Sequence, residues 1–488
     1  MNILLDTNIL IPLEDTGRIL DSSFAELRKL SAEQQHCLYI HPMQIEDINR
    51  DKNAERRNIV ISRLAQYPQI ETPPVLSQAE CESLGLRQIN ENDRVDNNVL
   101  FSLFRGAVHI LVTNDEGIHK KAIKIGVQDK VYRLDQFVQF LQCSTSSKIA
   151  FDYTGVKERY LYEINKTQKF FDSLRDSYDG FDDWFQQCAE QKRKCWCIED
   201  TANNIVAICI YKIEKDEQLT DEGDITKGNI LKLCTFKVDT KARGKKLGER
   251  LMYIAFDYCV KNHLDWVYLH TYGAEQQTLV GLCEDYGFSH IGKYKEDDVY
   301  LKPMKLMDDD LSTLDSLIKY YPYFKDDVDV NKYIIPIQPK YHEDLFPDLS
   351  RLKGSLFEKD QSLYSCQGNT IKKAYLCHSR IKTIKKGDIV LFYRSHDRQS
   401  IQCMGIVECA FFSSTVDDVF SRIAKRTVYS YAEMQNMMTK RTLVILFRYI
   451  SLKDAIPWDK LRAVGIKGYI QSVRQISNEQ YRQLQYEK

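Results

Sequence analysis

Five acidic side chains near the amino terminus stand where a parallel sheet presents catalytic groups. Asp6 ends the apolar run Leu4-Leu5 and is followed by Thr7-Asn8. Glu46 follows Leu38-Tyr39-Ile40, and Asp93 and Asp96 open the run Val99-Leu100-Phe101-Ser102-Leu103-Phe104. Asp115 closes Ile110-Leu111-Val112-Thr113-Asn114. Chemistry in open α/β sheets sits just beyond the carboxyl ends of the strands. Carboxylates gathered there suit hard divalent cations, which take oxygen ligands. Cations so held activate water and stabilise a leaving oxygen in phosphodiester cleavage. Asp93 and Asp96 are three apart and share a helix face; Thr113 and Asn8 are placed to orient the ligands. Each acid alone reads equally well as a turn former or helix cap. Glu46, within Gln44-Ile45-Glu46-Asp47, reads also as a solvated helix face. The joint pattern is what points to a metal.

A second chemistry-bearing stretch is Val238-Asp239-Thr240-Lys241-Ala242-Arg243-Gly244-Lys245-Lys246-Leu247-Gly248. It follows a strand and opens a helix whose apolar face is Leu247, Leu251, Ile254 and Tyr258. Amides at a helix start bind anions, and glycines let a pyrophosphate approach the backbone. Arg243, Lys245 and Lys246 add positive charge. The G-x-x-x-x-G-K-[ST] pattern of nucleoside triphosphate sites is missing. A basic, solvated first turn of an ordinary helix is the competing reading. A third stretch, residues 371–398, sets Lys372, Lys373, Arg380, Lys382, Lys385, Lys386, Arg394 and Arg398 against Asp388 and Asp397, with Tyr375, Phe392 and Tyr393 among them. Basic residues contact phosphates and aromatics stack on unpaired bases; strands with basic outer faces are the plain alternative.

The elements that must position these groups fall into three blocks. Residues 1–142 alternate strand and helix patterns, as a parallel sheet requires, and Cys143-Ser144-Thr145-Ser146-Ser147-Lys148 reads as a linker. Residues 150–305 start helical and continue with alternating strands. The acidic, polar stretch 306–332 joins them to residues 333–488, rich in short strands. A chain of 488 residues carries roughly two to four domains. It is 43% hydrophobic and 28% charged, so each can bury a core. A net charge of −1 excludes a global pull toward nucleic acid; any polyanion-binding surface is local. The 14 cysteines lack regular spacing and read as reduced and cytoplasmic. No stretch approaches the roughly 18–20 apolar residues of a membrane span, and no secretion signal opens the chain.

Three resemblances follow from these residues. Residues 1–142 resemble PIN domains through Leu4-Leu5-Asp6-Thr7-Asn8, Glu46, Asp96 with its apolar helix, and Val112-Thr113-Asn114-Asp115. That family implies a Rossmann-like sheet, Mg²⁺ or Mn²⁺, and hydrolysis of RNA. Asp6, Glu46, Asp96 and Asp115 would be the metal-binding catalytic acids, with Asp93 a fifth or a substitute for Asp96; an inactive PIN fold is the alternative. Residues 150–305 resemble the GNAT acetyltransferases through Arg243-Gly244-Lys245-Lys246-Leu247-Gly248 and Tyr286-Gly287-Phe288. That family implies acetyl-coenzyme A, with its pyrophosphate on the amides of Arg243, Gly244, Lys245, Lys246, Leu247 and Gly248. Its pantetheine would lie beside the backbone around Phe236 and Val238. Two departures stand out. Lys246 replaces the middle glycine of the turn, and Cys283 replaces the tyrosine acid four residues before the Gly-Phe pair. A thiol there can protonate a departing thiolate of similar pKa or simply fill the core; Tyr286 is the second candidate. Residues 333–488 resemble PUA-like barrels, which include ASCH and EVE domains, through Lys386-Gly387-Asp388-Ile389-Val390-Leu391-Phe392-Tyr393. That group implies binding of RNA or modified bases.

The expected fold class is a multidomain α/β and α+β chain: a Rossmann-like PIN fold, a GNAT fold, then a small PUA-like β-barrel. The expected function is a PIN-type metal-dependent endoribonuclease fused to an acetyl-CoA-binding GNAT module, acting on RNA, transfer RNA foremost. A toxin or phage-defence setting, with a restraining antitoxin-like protein as partner, is expected by fold-level analogy. The alternatives are an N-acetyltransferase of RNA, aminoacyl-tRNA or protein with the other domains as RNA-binding modules, and a non-catalytic RNA-binding regulator.

Overall fold

The computed structural model describes residues 1–15, 22–145, 153–223, 225–239, 242, 246–272, 276–307, 310–326, 328–351, 371–423, 426 and 431–486. They form two compact units, one of residues 1–149 with 413–441, the other of 150–412 with 442–488.

The first unit is built on four parallel strands: β1 (Asn2–Leu5), β2 (Cys37–Tyr39), β3 (Ile110–Val112) and β4 (Val131–Tyr132), in the order β2-β1-β3-β4. These strands are short and apolar, and β1 and β3 are almost wholly buried, as parallel strands covered by helices on both faces must be. The chain runs from β1 out to β2 and then crosses to β3 on the other side. The crevice between the carboxyl ends of β1 and β3 is therefore the switch point where an open sheet places its chemistry. The segment 413–441 completes this unit. Its helix Val416–Ile423 is tied down by Tyr132, whose hydroxyl donates to the Ser421 carbonyl (3.1 Å), and by the ion pairs Lys130–Asp418 (3.4 Å) and Arg426–Asp129 (3.1 Å). Phe420 packs its ring 4.7 Å from that of Phe140. The N-terminal unit is thus discontinuous in sequence, borrowing a helix from between two strands of the last block.

The second unit holds two sheets. β5 (Lys157–Tyr160), β6 (Lys194–Glu199), β7 (Ile205–Gln218), β8 (Ile225–Val238), β9 (Trp266–Thr271), β10 (Ser289–Tyr294) and β11 (Asp297–Pro303) form one, in the order β10-β11-β9-β8-β7-β6-β5. All its neighbours are antiparallel except β8 and β9. A parallel pair needs a crossover, supplied by the helix Leu247–Lys261. β12 (Lys332–Ile337), β13 (Lys372–Cys377), β14 (Ile389–Arg394), β15 (Ser400–Ser413), β16 (Thr442–Pro457) and β17 (Arg474–Ile476) form the other, ordered β13-β16-β15-β14-β12-β17.

The two sheets share one apolar core. Helix Leu247–Lys261 shows why. Of its expected stripe, Leu247, Leu251 and Ile254 are buried and Tyr258 is half-buried; Met252, Tyr253, Ala255, Phe256 and Cys259 on its other sides are buried too. A helix buried on most of its sides lies inside, between the seven-stranded sheet and the last block. Its acid Glu249 is buried and accepts from the Ile371 (3.0 Å) and Lys372 (3.3 Å) amides; its Arg250 pairs with Asp348 at 2.8 Å. The stretch 306–332, read as a joining segment, contains the helix Thr313–Tyr320, capped by Ser312 and burying Leu314, Leu317 and Tyr320.

Candidate functional site

In the N-terminal unit, Asp6 follows β1 as the cap of helix Thr7–Glu14, accepting from the Thr7 amide at 2.7 Å. Thr113, the residue after β3, donates its hydroxyl to Asp6 Oδ2 at 2.6 Å, and Asn8 Nδ2 donates to the same oxygen at 2.8 Å. The orienting roles read for Thr113 and Asn8 are both present. Asp115 caps helix Glu116–Lys124, accepting from the Ile118 amide at 2.9 Å. Burial lifts the Asp6 carboxyl to about 6 against the pull of Thr113 and the Thr7 amide, with Asp115 and Asp47 adding repulsion. Burial lifts Asp96 to about 7, helped by Asp6, Asp115 and Asp47 and opposed by Lys121. Asp6, Asp47, Asp96 and Asp115 therefore feel one another across the switch point.

Two expected members stand elsewhere. Glu46 is exposed and pairs with Arg94 at 2.6 Å; the acid acting on Asp6 and Asp96 from that helix is its neighbour Asp47. Only the folded helix separates the two. Gln44 and Ile48 are the buried positions of helix Gln44–Asn49, and Asp47, three after one and next to the other, lies nearer their face than Glu46 does. Asp93 is held by Lys121, whose ammonium lies 2.9 Å from Asp93 and 3.8 Å from Asp96. The Mg²⁺ or Mn²⁺ expectation does not fit these residues as they stand. Among the described residues no three His, Cys, Asp or Glu side chains converge to hold a metal ion. An ammonium stands among the acids, and Asp6 and Asp115 are engaged as helix caps.

In the second unit the seven-stranded sheet opens. β8 pairs with β9 only from Ile230 opposite Trp266 to Leu233 opposite Leu269. Beyond that point β8 continues to Val238 bonded to β7, and β9 continues to Thr271 bonded to β11. Cys234 marks the parting: Ile210 and Tyr211 of β7 pair with Thr235 and Leu233, leaving Cys234 as the extra residue of a bulge. No described strand borders the far edge of 234–238. The helix that follows starts against the same stretch. A Cβ on Gly248 would lie 3.3 Å from Leu282 and 3.7 Å from the side chains of Phe236 and Val238. Gly248 is thus small because the helix start is pressed onto the end of β8. Lys246 precedes this helix in the left-handed conformation (φ 61°) and supplies no side-chain cap, so the first amides, from Leu247 on, have no partner within the helix. Arg243, Gly244 and Lys245 lie outside the described residues.

An open strand edge leading to uncapped helix amides fits a long ligand with an amide-bearing arm and an anionic far end. The pantetheine and pyrophosphate of coenzyme A have that form. When bound as its acetyl thioester, such a group supplies an activated acyl carbon.

The two expected acids are both buried. Cys283 is fully buried and its thiol is pushed up by burial. Tyr286 is 1% exposed, its ring facing the Lys372 ammonium (5.6 Å) and the Arg448 guanidinium (5.5 Å). Gly287 is required by packing: with φ +83°, an added Cβ would come 2.1 Å from the Ile318 carbonyl. Residues not singled out from sequence interact with one another on the sheet near its parting: Lys212 and Glu214 on β7, Lys232 on β8, Tyr268 and His270 on β9, and Asp297 on β11. For Tyr268 and His270 the only signal is the alternation of Trp266, Tyr268 and His270 with the aliphatic Val267 and Leu269.

In the last block the aromatic residues read as base-stacking groups are core. Tyr375, Phe392 and Tyr393 are all buried. Lys373 is buried and donates to the Leu345 carbonyl (2.7 Å), and buried Arg394 pairs with Glu343 (2.7 Å) and Asp397 (2.5 Å). Arg380, Lys382, Lys385 and Lys386 remain exposed. The Lys386-Gly387-Asp388 turn is a latch: the buried Asp388 carboxylate accepts from the Asn331 and Lys385 amides, each at 2.9 Å.

Comparisons with known proteins agree with part of this geometry. No curated protein matches the chain. Among solved structures, an ASCH protein from Zymomonas mobilis is 15% identical, covering 31% of this chain and 92% of its own, with a TM-score of 0.24. A GNAT-family acetyltransferase from Staphylococcus aureus Mu50 is 17% identical, covering 31% and 99%, also at 0.24. The NatC complex bound to Gag peptide and CoA is 16% identical over 31% and 100%, at 0.22. No helix of the described residues is long and apolar enough to cross a membrane. Residues 159–288 match the model of the acetyltransferase (GNAT) family, so the sheet that opens between β8 and β9 belongs to a GNAT acetyltransferase domain.

Proposed function

We propose that this chain is an N-acetyltransferase that draws its acetyl group from acetyl-coenzyme A and delivers it to an amine carried by RNA, aminoacyl-tRNA or protein. The carrying observation is the fork: β8 and β9 part at Leu233 and Leu269, and the freed edge of β8 runs to the uncapped start of helix Leu247–Lys261. Phe236 and Val238 would flank the pantetheine, and Lys246, Leu247 and Gly248, with Arg243, Gly244 and Lys245, would receive the pyrophosphate. The exposed Arg380, Lys382, Lys385 and Lys386 supply phosphate contacts for an RNA carrier; the buried aromatics give no stacking platform. Calorimetric titration with acetyl-coenzyme A tests the reading. The expected result is micromolar binding that Gly248→Ile, which fills the gap between helix and strand, weakens at least tenfold. Absence of binding to the full chain sinks it. Radiolabelled acetyl-coenzyme A with charged and uncharged transfer RNA, and with protein, then sorts the acceptors.

A ribonuclease in the N-terminal unit is the second reading, favoured by the mutual repulsion of Asp6, Asp47, Asp96 and Asp115. Cleavage of RNA by the wild type that Asp6→Asn abolishes would support it. Intact RNA with Mg²⁺ or Mn²⁺ present would exclude it.

A further inference from the structure

We propose that the loop 464–473 of the last block docks an unpaired stretch of RNA, with Tyr469 as the ring on which a base stacks. This rests on the RNA-carrier branch of the reading above, for which it supplies the docking surface.

The loop is fastened at its ends and open in its middle. It joins helix Trp458–Ala463 to β17. Ile466, Ile470 and Val473 are buried. The Ile466 amide donates to the Leu461 carbonyl (3.0 Å), the Arg474 guanidinium to the Lys467 carbonyl (2.7 Å) and the Gln480 side chain to the Val464 carbonyl (3.1 Å). Between these anchors Tyr469 is 90% exposed, more than any other large hydrophobic side chain among the described residues. Gly468 just before it has φ +78° and open space where a Cβ would stand, so a glycine is kept there for the turn of the backbone and not for packing. A flat ring on a pinned loop loses little conformational freedom when a partner covers it.

The charge around the ring is one-sided. Between residues 460 and 482 the only acid is Glu479, against Lys460, Arg462, Lys467, Arg474 and Arg482. The whole chain carries a net charge of −1, so this excess is local. Arg462 and Lys467 are exposed, and among the described residues neither has an acidic partner. Gln475, next to Arg474, donates to Asn331 Oδ1 at 2.9 Å, and the Asn331 and Lys385 amides share the Asp388 carboxylate. The strand leaving the loop is thus tied to the turn that carries the exposed Lys385 and Lys386. Cations follow a line of phosphates, and an exposed aromatic takes the face of a splayed base. A duplex keeps its bases stacked on one another and offers the ring none, so the partner is single-stranded. The ring is also what favours RNA over an acidic protein: carboxylates need cations alone, whereas an unpaired base needs a flat surface.

Fluorescence anisotropy of the full-length protein with a labelled, unstructured RNA of about twelve nucleotides tests this, beside the same RNA annealed to its complement and the matching single-stranded DNA. The expected result is saturable binding of the single-stranded RNA, tighter than the duplex and no weaker than the DNA. Tyr469→Ala should weaken it about tenfold or more, while Tyr469→Phe, which keeps the ring, should stay within about twofold. Lys467→Gln should weaken RNA of any sequence and lower the slope of log Kd against log salt by about 0.7. Thermal melts of all three variants should coincide with the wild type, since both side chains are exposed. The proposal is overturned by absence of RNA binding, by a Tyr469→Ala loss below about twofold, by a Tyr469→Phe loss equal to that of Tyr469→Ala, or by preference for the duplex or the DNA. Binding of acetyl-coenzyme A without binding of RNA sinks this proposal alone; failure of the wild type to bind acetyl-coenzyme A sinks the acetyl-transfer reading instead.

Discussion

At the switch point of the N-terminal unit the chemistry-bearing groups are side chains, and each already has a partner. Asp6 holds Thr7, Asn8 and Thr113; Asp115 holds the Ile118 amide; Asp93 and Asp96 share Lys121; Glu46 takes Arg94 and Asp47 takes Arg50. At the β8–β9 fork the open groups belong to the backbone: among the described residues no strand borders the far edge of 234–238, and Lys246 gives the helix start no side-chain cap. Residue types that suit catalysis can thus be fully engaged in holding the fold. A parting of two strands is harder to explain away, because backbone donors and acceptors left without partners cost free energy unless something binds them.

The sharpest break of this contrast is at Gly287. Gly287→Val, driven into the Ile318 carbonyl, should cost more than about 4 kcal/mol. Calorimetry should show the transition of the second unit lost and that of the first retained; loss of both would mean the units are not separate. Glu249→Ala strips the buried acceptor from the Ile371 and Lys372 amides. It should cost roughly 2–4 kcal/mol, read as a lower denaturant midpoint of the same unit. Acetyl-coenzyme A at a hundred times its Kd should add about 2.7 kcal/mol to that unit and leave the first unmoved.

Legibility was uneven for physical reasons. Strand ends and helix starts were readable because apolar runs and capping acids are local, and Asp6 and Asp115 cap as their positions suggest. The choice between Glu46 and Asp47 needed the buried face of a six-residue helix, which Gln44 and Ile48 define only once folded. The Gly-Phe ending and the Lys-Gly-Asp turn were visible as motifs, but their causes, the Ile318 carbonyl and the Asn331 amide, lie 31 and 57 residues away in sequence. The fork itself is a property of strand register, which no spacing of residue types announces. The helix from 413–441 joining the N-terminal unit was hidden because nothing local says which core a surface helix will cover.

Smaller effects refine the acid cluster. Asp6 and Asp96 carry folded pKa values of about 6 and about 7, against about 3.9 for an unfolded aspartate. The folded state therefore binds more protons over that window. Its stability is highest below about pH 4 from these groups and is lost as pH rises through 7. Asp96→Asn should stabilise the unit at pH 7.5 by roughly 1–3 kcal/mol and flatten this slope in thermal melts. Lys121→Ala should cost about 1 kcal/mol or less, yet it should create millimolar Mn²⁺ binding, measured by calorimetry, that the wild type lacks. Tight Mn²⁺ binding by the wild type would erase the contrast between the two regions.

Glu249 lies in the first turn of helix Leu247–Lys261, yet its carboxylate serves amides more than a hundred residues downstream. The acetyltransferase portion therefore cannot be inherited or transplanted as a cassette. A truncation near residue 305 would turn the buried Glu249 and the apolar side chains packed around it toward water, so recombination in evolution must have moved the two halves of this unit together or rebuilt the seam each time.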